Sequence, residues 1–242
     1  MANMIGGRIA GNLVYFDRSA HGKRLVKAIG PDVFEWTDDF VRSTLTAADA
    51  PLGATVTLVE GGGGETTVTY ADVAGGALLV TTDANENDGA NIQFAGEAFK
   101  LTGFSYWYFG CRVKVSDATQ SDLFIGLSIT ATDILAGVTD SIGFRKVDGA
   151  TTLSVVVEKD SSETTATAAA SIGTSYKTLE LVHDGSTLEA FVDDVSVGTV
   201  ATTNLPNDEE LRPSIHFLTG SANARTCYVD WMRIIQIGGR AS

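Results

Sequence analysis

Between Tyr176 and Val200 polar and apolar residues alternate with a period of two. Leu179 and Leu181 alternate with Thr178 and Glu180. Leu188, Ala190 and Val192 then alternate with Glu189, Phe191 and Asp193. That period predicts half-buried strands rather than helices. Between the two runs stands His183-Asp184-Gly185-Ser186. Asp-Gly predicts a type I′ hairpin turn, which needs φ > 0 at both central residues. Asp193-Asp194 predicts the next turn, into Val195–Gly198. Strands with one apolar face cannot bury it alone, so a second sheet is required.

The rest of the chain supplies runs for that sheet. Strands are expected over 77–82, 92–101, 108–115, 123–130, 141–146, 153–159, 215–218 and 226–237, with an Ala-rich edge strand over 164–172. Thr55–Glu60 and Glu65–Tyr70 predict a hairpin around Gly61-Gly62-Gly63-Gly64. That glycine run lacks the following Lys-Ser/Thr of a phosphate loop. Short strands without intervening helices predict an all-β antiparallel sandwich or jelly roll over residues 36–239. Residues 1–35 stand apart as an N-terminal arm. Leu13–Phe16 suggests one strand there. A short helix is expected from Ser19, with Leu25, Val26 and Ile29 on one face and Gly30-Pro31 as its stop.

Composition narrows the function classes. The 242 residues suit one large β domain, and 44% hydrophobic against 19% charged residues suits a folded chain. No stretch approaches the ~20 apolar residues of a membrane-spanning helix. No apolar core of signal-peptide length follows Met1, so a cytosol is the expected site of synthesis or assembly. Cys111 and Cys227 are the only cysteines and are expected to be reduced. A net charge of −13 argues against nucleic-acid binding. The first thirty residues nevertheless carry Arg8, Arg18, Lys23, Arg24 and Lys27 against Asp17 alone, an excess of four positive charges that leaves the remainder at −17. Arg24, Leu25, Lys27 and Ile29 are therefore the expected docking residues of the arm, on the chain's own body or on an acidic neighbour.

Three segments carry a family resemblance. Gly76-Ala77-Leu78-Leu79-Val80, Tyr108-Phe109-Gly110-Cys111-Arg112-Val113-Lys114-Val115 and Val229-Asp230-Trp231-Met232-Arg233-Ile234-Ile235-Gln236 appear in that order. They resemble strands of the concanavalin A-like lectin/glucanase superfamily, the last being similar to the closing strand of laminarinase-like glucanases. The whole chain also resembles capsid-associated virion proteins of tailed bacteriophages, through residues 94–101, 112–122 and 203–211. This implies a capsid decoration or cement protein on the virion exterior, homo-oligomeric there, contacting the major capsid protein or another virion protein. The alternative is a lectin-like module, a phage adhesin or carbohydrate-binding domain, for host-surface glycans.

Candidate chemistry is sparse. The glucanase kin use E-x-D-x-x-E. Its one formal match here is Glu158-Lys159-Asp160-Ser161-Ser162-Glu163. The segment reads as a strand end and an exposed polar turn, unsuited to an acid of raised pKa. No catalytic residue is assigned on this reading, and a non-enzyme is expected. No cofactor is expected either, with calcium the exception to test. Asp83–Gly89 is rich in oxygen ligands but departs from the calcium-loop spacing, and Asp38, Asp39 and Asp230 form a second acidic set. In Phe104–Phe109, alternation places Phe104, Tyr106 and Tyr108 on one face, as core or as a glycan or protein interface, and Trp107 and Phe109 on the other.

Overall fold

The computed structural model describes residues 4–41, 53–61, 64–94, 96–135, 137–167 and 170–238. Those residues contain nineteen strands and no helix: β1 (Met4–Ile9), β2 (Asn12–Asp17), β3 (Leu25–Ile29), β4 (Val33–Asp38), β5 (Ala54–Val59), β6 (Thr67–Tyr70), β7 (Leu78–Thr81), β8 (Gly89–Phe94), β9 (Phe99–Lys100), β10 (Tyr106–Val115), β11 (Ser121–Ser128), β12 (Ser141–Lys146), β13 (Ser154–Lys159), β14 (Ser162–Thr167), β15 (Lys177–His183), β16 (Leu188–Val192), β17 (Val195–Val200), β18 (Glu210–Thr219) and β19 (Thr226–Ile237).

Two eight-stranded sheets face each other. The back sheet runs β17-β16-β15-β10-β19-β7-β6, and β4 takes the stretch of β19 that β7 leaves free. The front sheet runs β14-β13-β12-β11-β18-β8-β5, with β9 on the end of β18. Every described pairing is antiparallel, as in the expected jelly-roll sandwich. The alternating residues of both sheets meet in one core. Trp107, Phe109, Leu179, Leu181 and Ile234 come from the back, and Ile92, Ile125, Phe144, Val155 and Phe217 from the front.

The tight turns differ from the sequence reading in one place. The Asp184-Gly185 connection spans four residues. Asp184 Oδ1 accepts from the backbone N–H of Ser186 and Thr187, and of the two residues only Gly185 has positive φ. Paired left-handed residues occur instead at Asp193-Asp194 (φ 48° and 67°) and Asp160-Ser161 (φ 49° and 62°). Short polar side chains tolerate that region when the two-residue connection demands it. The expected hairpin around Gly61–Gly64 is also corrected. β5 pairs with β8 in the front sheet and β6 with β7 in the back, so the two strands belong to different sheets, and Gly62 and Gly63 between them lie outside the described residues.

The helix expected near Ser19–Ile29 is absent. That segment's second half, Leu25–Ile29, is β3, the edge of a separate three-stranded sheet, β1-β2-β3, and residues 19–24 are the turn that leads into it. This sheet lies on the outer face of the back sheet. Val14, Leu25 and Ala28 pack there on Tyr106, Tyr108, Val182, Phe191, Ile235 and Ile237. A marginal amphipathic segment adopts the structure its docking surface completes, and here the partner is a second strand. The sequence boundary at 35/36 falls inside β4.

Candidate functional site on the outer sheet faces

Arg24 and Leu25 dock on the chain's own back sheet. Leu25 is fully buried, and Arg24 Nε and Nη2 donate to Glu180 Oε1 and Oε2 at 2.5 and 2.6 Å. His21 Nε2 lies 3.1 Å from Glu180 Oε2, its ring stacked on Phe191 at 3.6 Å between centroids. The Tyr108 hydroxyl donates to Glu180 Oε1 at 2.8 Å. Burial pushes the Glu180 carboxyl up, but hydrogen bonds from His21, Arg24 and Tyr108 and the Arg24 charge outweigh it and hold it at about 2. Lys27 reaches only Glu35, at 3.1 Å, and Ile29 is exposed. Tyr106 and Tyr108 are therefore a structural seat for the arm, not an open glycan platform. The Tyr106 hydroxyl donates to Lys23 O at 2.6 Å, and Phe104 is half-buried at the rim.

The acidic sets have protein partners. Asp83 Oδ2 accepts from Asn85 at 2.7 Å, Asp38 Oδ1 from the Phe40 N–H at 2.9 Å, and Asp230 pairs with Arg112. Among the described residues no three metal-ligating side chains converge.

The front sheet's outer face is different. Its register places side chains in rows across the strands. One row reads Glu163, Glu158, Ser141, Ser128, Arg212. Another reads Arg145, Phe124, His216, Asn91, Thr57. The segment after β11 crosses this face, its Ile134 and Val138 packed on Phe124. Gln93 ties it down: Nε2 donates to Ile129 O at 2.9 Å and Oε1 accepts from the Ala131 N–H at 3.0 Å. Asn91 Nδ2 donates to Ala131 O at 2.6 Å.

Beside this strap a cleft of about 490 Å³ is lined by Thr55, Thr57, Gln93, Thr130, Ala131, Thr132, Asp133 and Gly137. Beneath the strap, Asn91 Oδ1 and both ring nitrogens of His216 are buried without a hydrogen-bond partner. Asp133 Oδ1 lies 3.5 Å from His216 Nε2 but makes no hydrogen bond with it. Burial pushes the His216 pKa down to about 4, with Asp133 opposing, so the ring is neutral at pH 7. Buried orphans of this kind call for a bound water or ligand atom.

At the other edge of the face, Glu158 and Glu163 are directly opposed across β13 and β14. Directly opposed side chains have Cβ atoms ~4.5–5.5 Å apart. Arg145 Nη1 and Nη2 donate to Glu163 Oε2 and Oε1 at 2.6 and 2.8 Å, holding its carboxyl below the usual range. Burial, and then the charge of Glu163, push the Glu158 carboxyl up. The sequence reading of this segment as an exposed turn is corrected. Only Asp160 and Ser161 form the turn, while both glutamates sit on strands and Glu158 is half-buried. The signal for the pair was in the chain: a two-residue turn at 160–161 sets residue 158 opposite 163.

No protein-family model and no curated protein matches the chain. Solved structures do. An endo-1,3-β-glucanase from Streptomyces sioyaensis superposes with a TM-score of 0.59 at 12% identity, over 88% of this chain and 99% of its own. A Bacteroides ovatus GH16 protein of a mixed-linkage glucan locus, in complex with its product, gives 0.58 at 14% identity, over 82% and 99%. The Emp46p carbohydrate recognition domain gives 0.54 at 10% identity, over 76% and 88%. The fold is the concanavalin A-like jelly roll. At these identities the likeness concerns the fold alone. It still overturns the expectation of a non-enzyme, because endo-glucanases share the fold over most of both chains, and a non-enzymatic role no longer follows from the architecture.

Proposed function

We propose that the chain is a carbohydrate-binding jelly-roll protein that holds a glycan against the outer face of the front sheet, in the cleft between β5 and the 129–140 strap. The observation that carries this reading is the cleft itself. It has about 490 Å³ of space, walls of threonine hydroxyls, the Gln93 carboxamide and the Asp133 carboxylate, and unpartnered polar atoms in the adjoining row. That size lies within the ~300–1,000 Å³ of small-molecule sites. Hydroxyl-rich walls suit a ligand that is itself mostly hydroxyl. A virion is the setting that the whole-chain resemblance supports, with host-surface glycans as the ligand source. The test is an array of neutral β-glucans and host-type glycans probed with the wild type and with Thr57→Arg, which fills the cleft from the sheet surface. Binding lost in the variant supports the site. Equal binding by both proteins removes it.

A second reading is favoured by a separate observation, the opposed Glu158 and Glu163. Retaining glycosidases set two carboxyls ~5–5.5 Å apart, one kept protonated as the acid and one ionised as the nucleophile. Glu158, pushed up, fits the acid, and Glu163, held down by Arg145, fits the ionised partner. Release of reducing ends from a β-glucan by the wild type but not by Glu158→Gln supports hydrolysis. No release by the wild type over a panel of β-1,3 and β-1,4 glucans rejects it.

A further inference from the structure

The half of the back sheet's outer face that the N-terminal sheet leaves open carries a second, unrelated cluster. Lys114 and Tyr228 are register partners on β10 and β19, and Tyr176 immediately precedes β15, which pairs with β10. The Lys114 ammonium stands over both rings, 4.7 Å from the Tyr176 centroid and 4.4 Å from that of Tyr228. Arg112 also covers Tyr176, at 4.2 Å, but its charge is answered by Asp230. Lys114 has no carboxylate partner among the described residues, in a chain of net charge −13. Next to it opens a pocket of about 160 Å³ lined by Lys114, Val115, Ser116, Thr174, Thr226 and Tyr228.

We infer that this pocket binds one acidic sugar residue, a pyranose bearing a carboxylate or a sulfate ester. Each part of the ligand has a counterpart. The ammonium faces the anion, the hydroxyls of Ser116, Thr174 and Thr226 face ring hydroxyls, and Tyr228 offers an aromatic surface to ring C–H groups. The volume is below the ~300 Å³ at which drug-sized pockets begin, so it takes a single ring rather than a chain. A cation held only by aromatic faces gains less than a charge-assisted hydrogen bond to an anion gives. The site shares no residue with the front-sheet cleft, so either can fail alone.

The test is an NMR titration at millimolar ligand with glucuronate, glucose 6-sulfate, glucose and inorganic sulfate. It uses the wild type, Lys114→Met, Lys114→Arg and Thr57→Arg. Expected are binding of at least one acidic sugar, at least tenfold weaker binding by Lys114→Met, retention by Lys114→Arg, no change in Thr57→Arg, and affinity that falls with added salt. Glucuronate alone binding assigns the carboxylate, and glucose 6-sulfate alone the ester. Glucose binding as tightly as the acidic sugars, or Lys114→Met binding like the wild type, overturns the inference. Inorganic sulfate binding as tightly as the sulfated sugar overturns its sugar half.

Discussion

The sandwich has two outward faces, and they are finished in opposite ways. One half of the back sheet's outer face is capped by the chain's own first three strands. The one buried carboxylate at that contact, Glu180, has all its partners: His21, Arg24 and Tyr108. The front sheet is crossed by a single strap, and its buried polar atoms stay short of partners at His216 and Asn91. A buried charge with a complete shell marks a contact made once, during folding. A buried polar row without one, next to open space, marks a place where something else completes the shell. The same β architecture thus sets the covered half of the back face apart from the strap side of the front face by polar satisfaction, not by shape.

The largest effect that would break this contrast is at the satisfied face. Glu180→Ala leaves the Tyr108 hydroxyl and Arg24 Nε without their acceptor, with Asp194 and Asp17 still beside the guanidinium, and is expected to cost about 3 kcal/mol in urea unfolding. A loss under about 1 kcal/mol would show that the N-terminal sheet is an optional attachment. It would also restore the arm to a role in docking elsewhere.

Acid probes the same contact more gently. The Glu180 carboxyl sits at about 2 in the folded chain, below its unfolded value near 4.3. A depressed carboxylate contributes stability that is fully present above the unfolded pKa and is lost as pH falls through the folded one. This one group therefore contributes on the order of 3 kcal/mol at neutral pH, lost between about pH 5 and pH 2. Glu180→Gln, melted over the same range, is expected to show a correspondingly flatter acid limb.

At the unsatisfied face the sign reverses. His216→Leu removes two buried orphan nitrogens at similar volume, so stability is expected to hold or rise by about 1 kcal/mol. Glycan binding at the cleft should weaken in the same variant. Destabilisation by 2 kcal/mol or more would mean that an ordered partner already satisfies His216. The face would then be as structural as the other.

Smallest of all is Glu158→Gln at the β13 edge. It relieves the repulsion with Glu163, and thermal unfolding is expected to move by no more than about 0.5 kcal/mol. A larger loss would make the carboxylate pair part of the fold and weaken the hydrolysis reading.

Much of the architecture was legible because period-2 alternation states directly which residues turn inward. β12 and β19 match the expected runs residue for residue, β15–β17 follow the meander, and β14 lies at a sheet edge as expected but spans Ser162–Thr167 rather than 164–172. Alternation also set Tyr106 and Tyr108 on the face opposite Trp107. What it cannot state is what lies on that face, because a strand's outer residues read alike whether they meet water or a covering sheet. Tyr106 and Tyr108 therefore read equally as core or as an interface, and only β2 and β3 packed on top of them decide it. Leu25, Val26 and Ile29 carried a helix pattern, and only the pairing with β2 made the segment a strand. Strand partnership was hidden for the same reason at β5 and β6, since local glycines signal a reversal but not the sheet in which it ends. The sequence by itself determined two-faced strands, their turns and an acidic chain with a basic beginning. Tertiary structure alone decided which charges are buried together, because the contacts of Glu180 with Arg24 and of His216 with Asp133 join residues far apart in the chain. Their energies depend on burial that no local pattern records.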